Sequence, residues 1–142
     1  PVPQPPAGPA LAWTLPKGWT SEPAEGMRFA TLKPSPAGKA EVSVVALAGP
    51  AGGELANVNR WRAQLGLAPI EEASLASLRK VVNSKAGPVS VYEFSQSGNR
   101  MLVGLLSTTD GNTWFLKLVG EDAPVSKAKA DFLKLLGTLH LG

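Results

Sequence analysis

The side chains that most often carry acid–base or nucleophilic chemistry are scarce in this chain. It has one histidine, His140, and no cysteine, which excludes thiol catalysis, disulfides and cysteine-ligated metals. His140 follows the last predicted helix near the end of the sequence, whereas a Ser–His–Asp relay needs a firmly oriented imidazole. We therefore interpret His140 as a surface residue, and we predict no catalytic residues and no enzymatic activity.

The carboxylates are too dispersed along the sequence to indicate a metal site. Their two adjacent pairs are Glu71-Glu72 and Glu121-Asp122. A hard cation needs several oxygen ligands that converge on one point, and neighbouring residues in a chain do not supply that spacing. The pairs are typical of a solvated turn and of a helix N-terminus. The sequence predicts neither a metal site nor a cofactor.

The most suggestive polar residues share one predicted helix, residues 54–65. Four of them form a group that could bind an anion or a partner: Asn57, Asn59, Arg60 and Arg62. Arginine offers a forked set of donors, and asparagine offers both a donor and an acceptor. The alternative is an ordinary solvated face on which one arginine pairs with a carboxylate. Trp61 lies on the apolar stripe of the same helix and is predicted to be core.

A glycine-rich stretch, residues 49–53, stands between a predicted strand and this helix. Such a stretch can cradle a phosphate at a helix N-terminus. The chain lacks both the Gly-Lys-Ser/Thr sequence and the spaced glycine triplet that would support that interpretation. The stretch is more typical of a connection that needs positive φ.

The chain is organised around residues 100–120, which predict a β-hairpin. One arm covers residues 101–109 and the other residues 113–119, with Asp110-Gly111 as the turn. Both arms are apolar on both faces, and a strand of that kind is covered on both faces. We therefore expect the two arms to be adjacent, antiparallel and central in a layered fold.

Hairpin signals dominate the remaining sequence, and regular strand–helix alternation is missing. Two short strands flank the turn between Trp13 and Trp19, which places both indoles near the edge of the core. Further strands are predicted at residues 27–33, 41–48, 79–84 and 89–95. Helices are predicted at residues 54–65 and 125–136, the second capped by Asp122, and a short helix or turn at residues 71–78. The pattern predicts an α+β fold: an antiparallel sheet of about six to eight strands with helices on its faces.

Length, composition and charge indicate how many domains the chain forms and which classes of partner it can bind. A chain of 142 residues with 44% hydrophobic side chains is expected to form a single domain, residues 11–142. Residues 1–10, half of them proline, are predicted to be a linker or tail, and a tether is one role for them. The net charge of +3 comes from dispersed residues, so we predict no nucleic-acid binding. No apolar run reaches the ~20 residues of a transmembrane helix.

Several local motifs together carry a resemblance to a known group. They are the Trp–Pro–Gly–Trp opening (Trp13, Pro16, Gly18, Trp19), the Gly-Gly and Asn-Val-Asn-Arg-Trp-Arg segment in residues 52–62, the Thr-Trp-Phe-x-Lys-Leu-x-Gly strand in residues 113–120, and a final helix with Lys129 and Phe132. The chain resembles a group of uncharacterised bacterial exported proteins described as lipoproteins. Their fold is similar to the PsbP extrinsic proteins of photosystem II and to the Ran-binding protein Mog.

The resemblance implies a PsbP-like α/β/α sandwich and an exported location, periplasmic or lipid-anchored on the outer surface with a membrane tether upstream. PsbP proteins are assembly or stabilising subunits and Mog binds a GTPase, but no functional residue of either matches a position here. We expect a non-catalytic interaction or assembly module of the cell envelope, with a protein partner. The alternative is a domain that binds a small ligand or an anion on the polar face of helix 54–65.

Overall fold

The computed structural model describes residues 10–23, 26, 28–34, 39–49 and 51–142. Within these ranges the elements are β1 (Leu11–Ala12), β2 (Thr20–Glu22), β3 (Arg28–Lys33), β4 (Ala40–Ala48), α1 (Glu54–Gln64), α2 (Glu72–Leu78), β5 (Lys80–Ser84), β6 (Gly87–Gln96), β7 (Asn99–Ser107), β8 (Asn112–Glu121), α3 (Asp122–Gly137) and β9 (His140–Leu141). Of the proline-rich segment predicted at residues 1–10, all but Ala10 lies outside the described residues.

Seven strands form one antiparallel sheet in the order β2-β3-β4-β8-β7-β6-β5. The predicted α+β fold is confirmed, and the predicted hairpin is β7 and β8, adjacent and inside the sheet. Their register runs from Asn99 opposite Glu121 to Ser107 opposite Thr113. Gly111 has a φ of 88°, as the predicted Asp-Gly turn requires.

The sheet is covered on both faces, as the two-sided hydrophobicity of β7 and β8 predicts. On one face, α3 packs its buried side chains against the even-numbered residues of β8. Trp114, Leu116 and Leu118 are each 0% exposed there. On the other face, α1 and α2 cover Phe115 of β8 and the odd-numbered residues of β7. Trp61 of α1 meets Phe115 edge-on at 5.4 Å between ring centroids.

The first short strand differs from the expectation. β1 does not join the main sheet. It pairs with β9, with Leu11 opposite Leu141 and Ala12 opposite His140. Two apolar residues before a proline-containing turn predict a strand but cannot indicate its partner, because β9 lies more than 120 positions further along the chain. Trp19 is buried and Trp13 packs against the edge of the core, as expected for the two indoles.

The predicted N-cap of the last helix is wrong by one residue. Glu121 is the N-cap of α3, and its side chain forms no capping hydrogen bond. Asp122 is instead the first helical residue. Its backbone N–H donates to Gly98 O at 2.9 Å, and its carboxylate Oδ1 accepts from Arg100 Nε at 3.0 Å. The Asp122 carboxylate bonds to Arg100 of β7 rather than capping the helix, because a hydrogen bond from a charged donor is stronger than one from a backbone N–H.

An ion-pair network fastens α3 to the sheet near this helix start. Glu93 of β6 accepts from Arg100 at 2.6 Å and from Lys129 of α3 at 2.7 Å. Burial alone raises the pKa of Glu93, but the hydrogen bonds from Lys129 and Arg100 outweigh it and hold the pKa below its usual 4.5. The ionised carboxylate therefore stabilises the folded state.

We expect Glu93→Gln to lower the free energy of unfolding at pH 7 by about 1 kcal/mol. Because the folded pKa is depressed, the stabilisation is complete above pH ~4.5 and is lost as the pH falls through the folded pKa. Urea unfolding at pH 7 and at pH 3 measures this, and the difference from wild type should shrink at pH 3. Glu22→Gln is the control, since its pair with Lys33 is more exposed. A deficit that is independent of pH would contradict the prediction.

The proline-rich start is expected to add little to stability. Residues 1–9 have almost no apolar side chains to bury, so their removal should leave the melting temperature nearly unchanged. Calorimetry on the full chain and on the chain that starts at Ala10 tests this. A fall of more than about 5 °C, roughly 1 kcal/mol for this length, would show that the segment packs on the folded part.

Candidate functional site

The four polar residues predicted to form a site on α1 do not converge on one point. Asn57 is buried, and its side-chain amide donates to Ala51 O at 2.9 Å and to Gly53 O at 2.6 Å. Asn59 donates to Ile70 O at 3.0 Å and accepts from Ile70 N at 2.8 Å. Both asparagines therefore hold the segments on either side of α1. Their hydrogen bonds explain why these residue types occur there without a ligand.

The two arginines of α1 point to opposite sides. Arg62 donates from Nε to Ala68 O at 2.8 Å and stacks over the ring of Phe94 at 5.8 Å. Arg60 is exposed, lies 5.6 Å from the Trp61 ring centroid, and forms no hydrogen bond or ion pair within the described ranges. Its guanidinium is available to a partner. Ligand binding by these four residues stays a prediction.

A buried tyrosine joins the start of α1 to the sheet and to the end of α2. Tyr92 donates its hydroxyl hydrogen to Glu54 Oε1, and Arg79 Nε lies 3.0 Å from both the Tyr92 oxygen and that carboxylate oxygen. Burial, followed by the hydrogen bond to Glu54, raises the pKa of Tyr92 to about 12. The phenol therefore stays neutral at physiological pH. This cluster anchors the start of α1 to the sheet.

The glycine-rich connection before α1 has the conformation expected of a turn. Gly49, Gly52 and Gly53 all have positive φ. Gly53 is the N-cap, and the Glu54 carboxylate occupies the first turn of the helix. A carboxylate at this position already interacts with the positive end of the helix dipole and would repel a phosphate. The geometry favours the predicted connection over a phosphate loop.

A cationic strip lies beside α1, on the part of the sheet that this helix leaves uncovered. We define the cationic strip as Arg28 of β3, Lys117 of β8 and Arg60 of α1. The register places Thr31 of β3 opposite Ser43 of β4, and Ser43 opposite Lys117. Thr31, Ser43 and Lys117 therefore stand side by side on one face of the sheet. Arg28 NH1 donates to the Thr31 hydroxyl at 3.2 Å, which keeps its guanidinium over the same row.

The cationic strip carries more positive than negative charge. Among the residues that the structure describes, its three cations face one carboxylate, Glu41, whose oxygen lies 3.3 Å from Arg28. Lys117 has a neutral partner, Gln64, at 3.3 Å. Burial, with repulsion from Arg60 and Arg28, lowers the pKa of Lys117 below its usual 10.5. Three cations against one anion leave a net charge of about +2, which an acidic group from outside would offset.

Lys117 therefore costs stability in the free protein. We expect Lys117→Met, which keeps the aliphatic stem and removes the charge, to raise the free energy of unfolding by about 1 kcal/mol. That gain corresponds to about 4 °C in melting temperature, measured by calorimetry at pH 7. Lys134→Met on the exposed side of α3 is the control and should change stability by less than about 0.5 kcal/mol. A lower melting temperature for Lys117→Met would show that the lysine is stabilised where it stands.

Of the strip residues, only Arg60 was predicted from the sequence, and Lys117 and Arg28 were not. The available signal was the position of Lys117 in a strand that is otherwise apolar on both faces. A lone lysine in such a strand marks a place where one covering layer ends. Arg28 comes close to Lys117 only because β4 pairs with both β3 and β8, and this pairing is known from the structure.

The remaining chemical candidates lie apart from the strip. His140 is half-buried in β9, and its Nδ1 lies 3.0 Å from Thr138 O. No group of three or more histidine, cysteine or acidic side chains within the described ranges is placed to hold a metal ion. None of the helices in that part of the chain is long and apolar enough to cross a membrane.

No protein-family model matches the chain, and no curated protein matches it either. Solved structures do resemble it. The solution structure of cyanobacterial PsbP (CyanoP) from Synechocystis sp. PCC 6803 has a TM-score of 0.56 at 13% identity, covering 96% of this chain and 95% of that one. A crystal structure from Bacteroides thetaiotaomicron VPI-5482 has a TM-score of 0.54 at 9% identity. The match covers 93% of this chain but 45% of that protein, so this chain spans under half its length.

A third structure, LpqN, involved in cell envelope biogenesis of Mycobacterium tuberculosis, has a TM-score of 0.48 at 15% identity, covering 95% of this chain and 86% of that one. The coverage of CyanoP from end to end, together with the seven-stranded sheet between helices, shows that this chain has a PsbP-like fold. The fold predicted from the motifs is confirmed.

Proposed function

We propose that this protein is a non-catalytic interaction module of the cell envelope and that the cationic strip binds an acidic surface of a protein partner. The observation that carries the proposal is the net positive strip of Arg28, Arg60 and Lys117 on a partly uncovered sheet face. The motif resemblance to exported bacterial proteins supports an extracytoplasmic location. The proline-rich residues 1–10 suit a tether that holds the domain away from its attachment.

The strip suits a protein partner because of the arrangement and charge of its side chains. Its basic side chains come from three elements, β3, β8 and α1, and lie near one another. Arginines supply forked donors for carboxylates. Charge complementarity of this kind sets association rate and specificity more than affinity. Binding should therefore weaken steeply as salt is added.

The test is capture of partners from a cell-envelope extract with the full chain as bait. Arg60→Glu combined with Lys117→Glu should abolish capture of an acidic partner, and the wild-type capture should decrease between ~0.05 and ~0.5 M salt. The matched control is Lys80→Glu with Lys134→Glu, which changes the net charge equally at two exposed sites on β5 and α3. A partner retained by the first pair, or lost equally with both pairs, would overturn the proposal.

The small-ligand alternative on α1 has less geometric support. Asn57, Asn59 and Arg62 already bond to backbone carbonyls of this chain, so a ligand would have to displace those bonds. Displacement would give up these hydrogen bonds, each of which contributes about 0.5–1.5 kcal/mol to stability. Arg60 is the one member of the set that a ligand could reach without that cost.

A further inference from the structure

A second basic region lies on the α3 side of the sheet. It is a cleft of about 440 Å³ between the loop before β2, the start of β4 and the first turns of α3. We call it the indole cleft. Its lining combines the Trp19 ring with three lysines, Lys17, Lys39 and Lys127.

The apolar part of the indole cleft is firmly placed. Trp19 is 7% exposed and belongs to the core cluster beneath α3, as do Ala40 and Ala128, which line the same cleft. The turn before Trp19 is fixed by the bond from its backbone N–H to Pro16 O at 3.1 Å. These three buried residues form a fixed floor of which little is exposed, and the half-buried Pro34 and Pro124 add the more accessible apolar lining.

The charges around the cleft are nearly uncompensated. Lys17 and Lys127 form no ion pair within the part of the chain that the structure describes. Lys39 lies 4.0 Å from Glu121, but both side chains are more than 60% exposed, so the pair contributes little. Asp131 is the single acid among the described residues of the lining, and it forms no ion pair with any of them. Three lysines and one aspartate leave a net charge of +2.

We propose that the indole cleft binds a small organic anion with a flat apolar body, the body against Pro34, Pro124 and the exposed part of Trp19 and the anionic group among Lys17, Lys39 and Lys127. The volume of about 440 Å³ falls within the usual range for small-molecule sites, roughly 300–1,000 Å³. The proposal goes beyond the cationic strip, because the two regions lie on opposite faces of the sheet and share no residue. Either can fail without the other.

The probe is 2-naphthoate, which joins a carboxylate to a flat apolar ring, and the neutral isostere is 2-naphthamide. Titration of the isotope-labelled full chain, followed by amide chemical shifts at ~0.1 M salt, should move the signals of residues around Trp19 and Ala128. The amide should bind at least about tenfold more weakly than the acid, equivalent to about 1.4 kcal/mol. Equal binding of acid and amide would overturn the role of the lysines.

Two variants locate the site. Lys17→Gln combined with Lys127→Gln should weaken 2-naphthoate binding by about tenfold or more, whereas Lys80→Gln with Lys134→Gln should not. All four lysines are exposed, so both double variants should keep the wild-type shift pattern elsewhere. Inorganic phosphate is the second probe. If phosphate binds as tightly and moves the same signals, or if the signals that move lie outside the cleft, the proposal is wrong.

Discussion

Trp61→Ala should reduce the free energy of unfolding by about 3–5 kcal/mol, a large part of the 5–15 kcal/mol typical of a folded domain. Trp61 is 2% exposed and contacts Phe115 of the central strand β8 edge-on. Removing the indole takes away both its transfer free energy and the aromatic contact, and leaves a cavity under α1. Urea denaturation followed by circular dichroism measures the change.

Arg60→Ala is the matched comparison for Trp61→Ala on the same helix turn. The Arg60 side chain is exposed, so its loss should change stability by less than about 0.5 kcal/mol. The pair separates the two roles of this helix: Trp61 maintains the fold, and Arg60 belongs to the cationic strip. A neutral Trp61→Ala would mean that the inward face of α1 has been assigned wrongly.

Gly120→Ala should also destabilise the protein strongly, by about 1–3 kcal/mol or more. A Cβ at position 120 would lie 2.2 Å from Lys39 O and 2.9 Å from Ala40 Cα. Both contacts are with backbone atoms, which cannot rotate away as a side-chain tip can. β4 and β8 would have to separate where Ala40 pairs with Gly120. Thermal unfolding and the amide shifts of Lys39 and Ala40 report the change.

Gly137→Ala serves as the control for Gly120→Ala. Gly137 is the last residue of α3, and the nearest atom to a Cβ there lies 3.8 Å away, at ordinary contact distance. Alanine has a better helix propensity than glycine, so this variant should be neutral or stabilised by up to about 1 kcal/mol. Equal losses for the two variants would show that close backbone approach is not what position 120 requires.

The central part of the fold was predictable because its signals are local. The arms of the β7–β8 hairpin are apolar on both faces, and a turn that needs positive φ joins them, so the pairing, its sense and the covered faces all follow. The helix at residues 54–65 was predictable from its stripe of apolar side chains and from Gly66, which follows the helix with a φ of 82°. Trp61 could be placed in the core for the same reason.

The parts that could not be predicted depend on contacts between distant segments. The partner of β1 is β9, and no local pattern relates them. The cationic strip needs β3, β4 and β8 in register before Arg28 and Lys117 become neighbours. Asn57 and Asn59 were assigned to a site from their residue types, but hydrogen bonds to backbone atoms account for both. Polar side chains that serve a local turn and those that serve a ligand look alike in one sequence.

The short ladder between β1 and β9 has a mechanical consequence. Residues 10 and 142 lie side by side, joined by the bond from Gly142 N to Ala10 O at 3.1 Å. A force that pulls residues 10 and 142 apart acts in the unzipping geometry. It loads the hydrogen bonds between β1 and β9 one after another rather than all at once. The two pairs of β1 and β9 should therefore yield at low force, while the long strands of the seven-stranded sheet, which are not pulled directly, stay paired. Tension along the chain would thus lengthen the connection to the domain before it disturbed either basic surface.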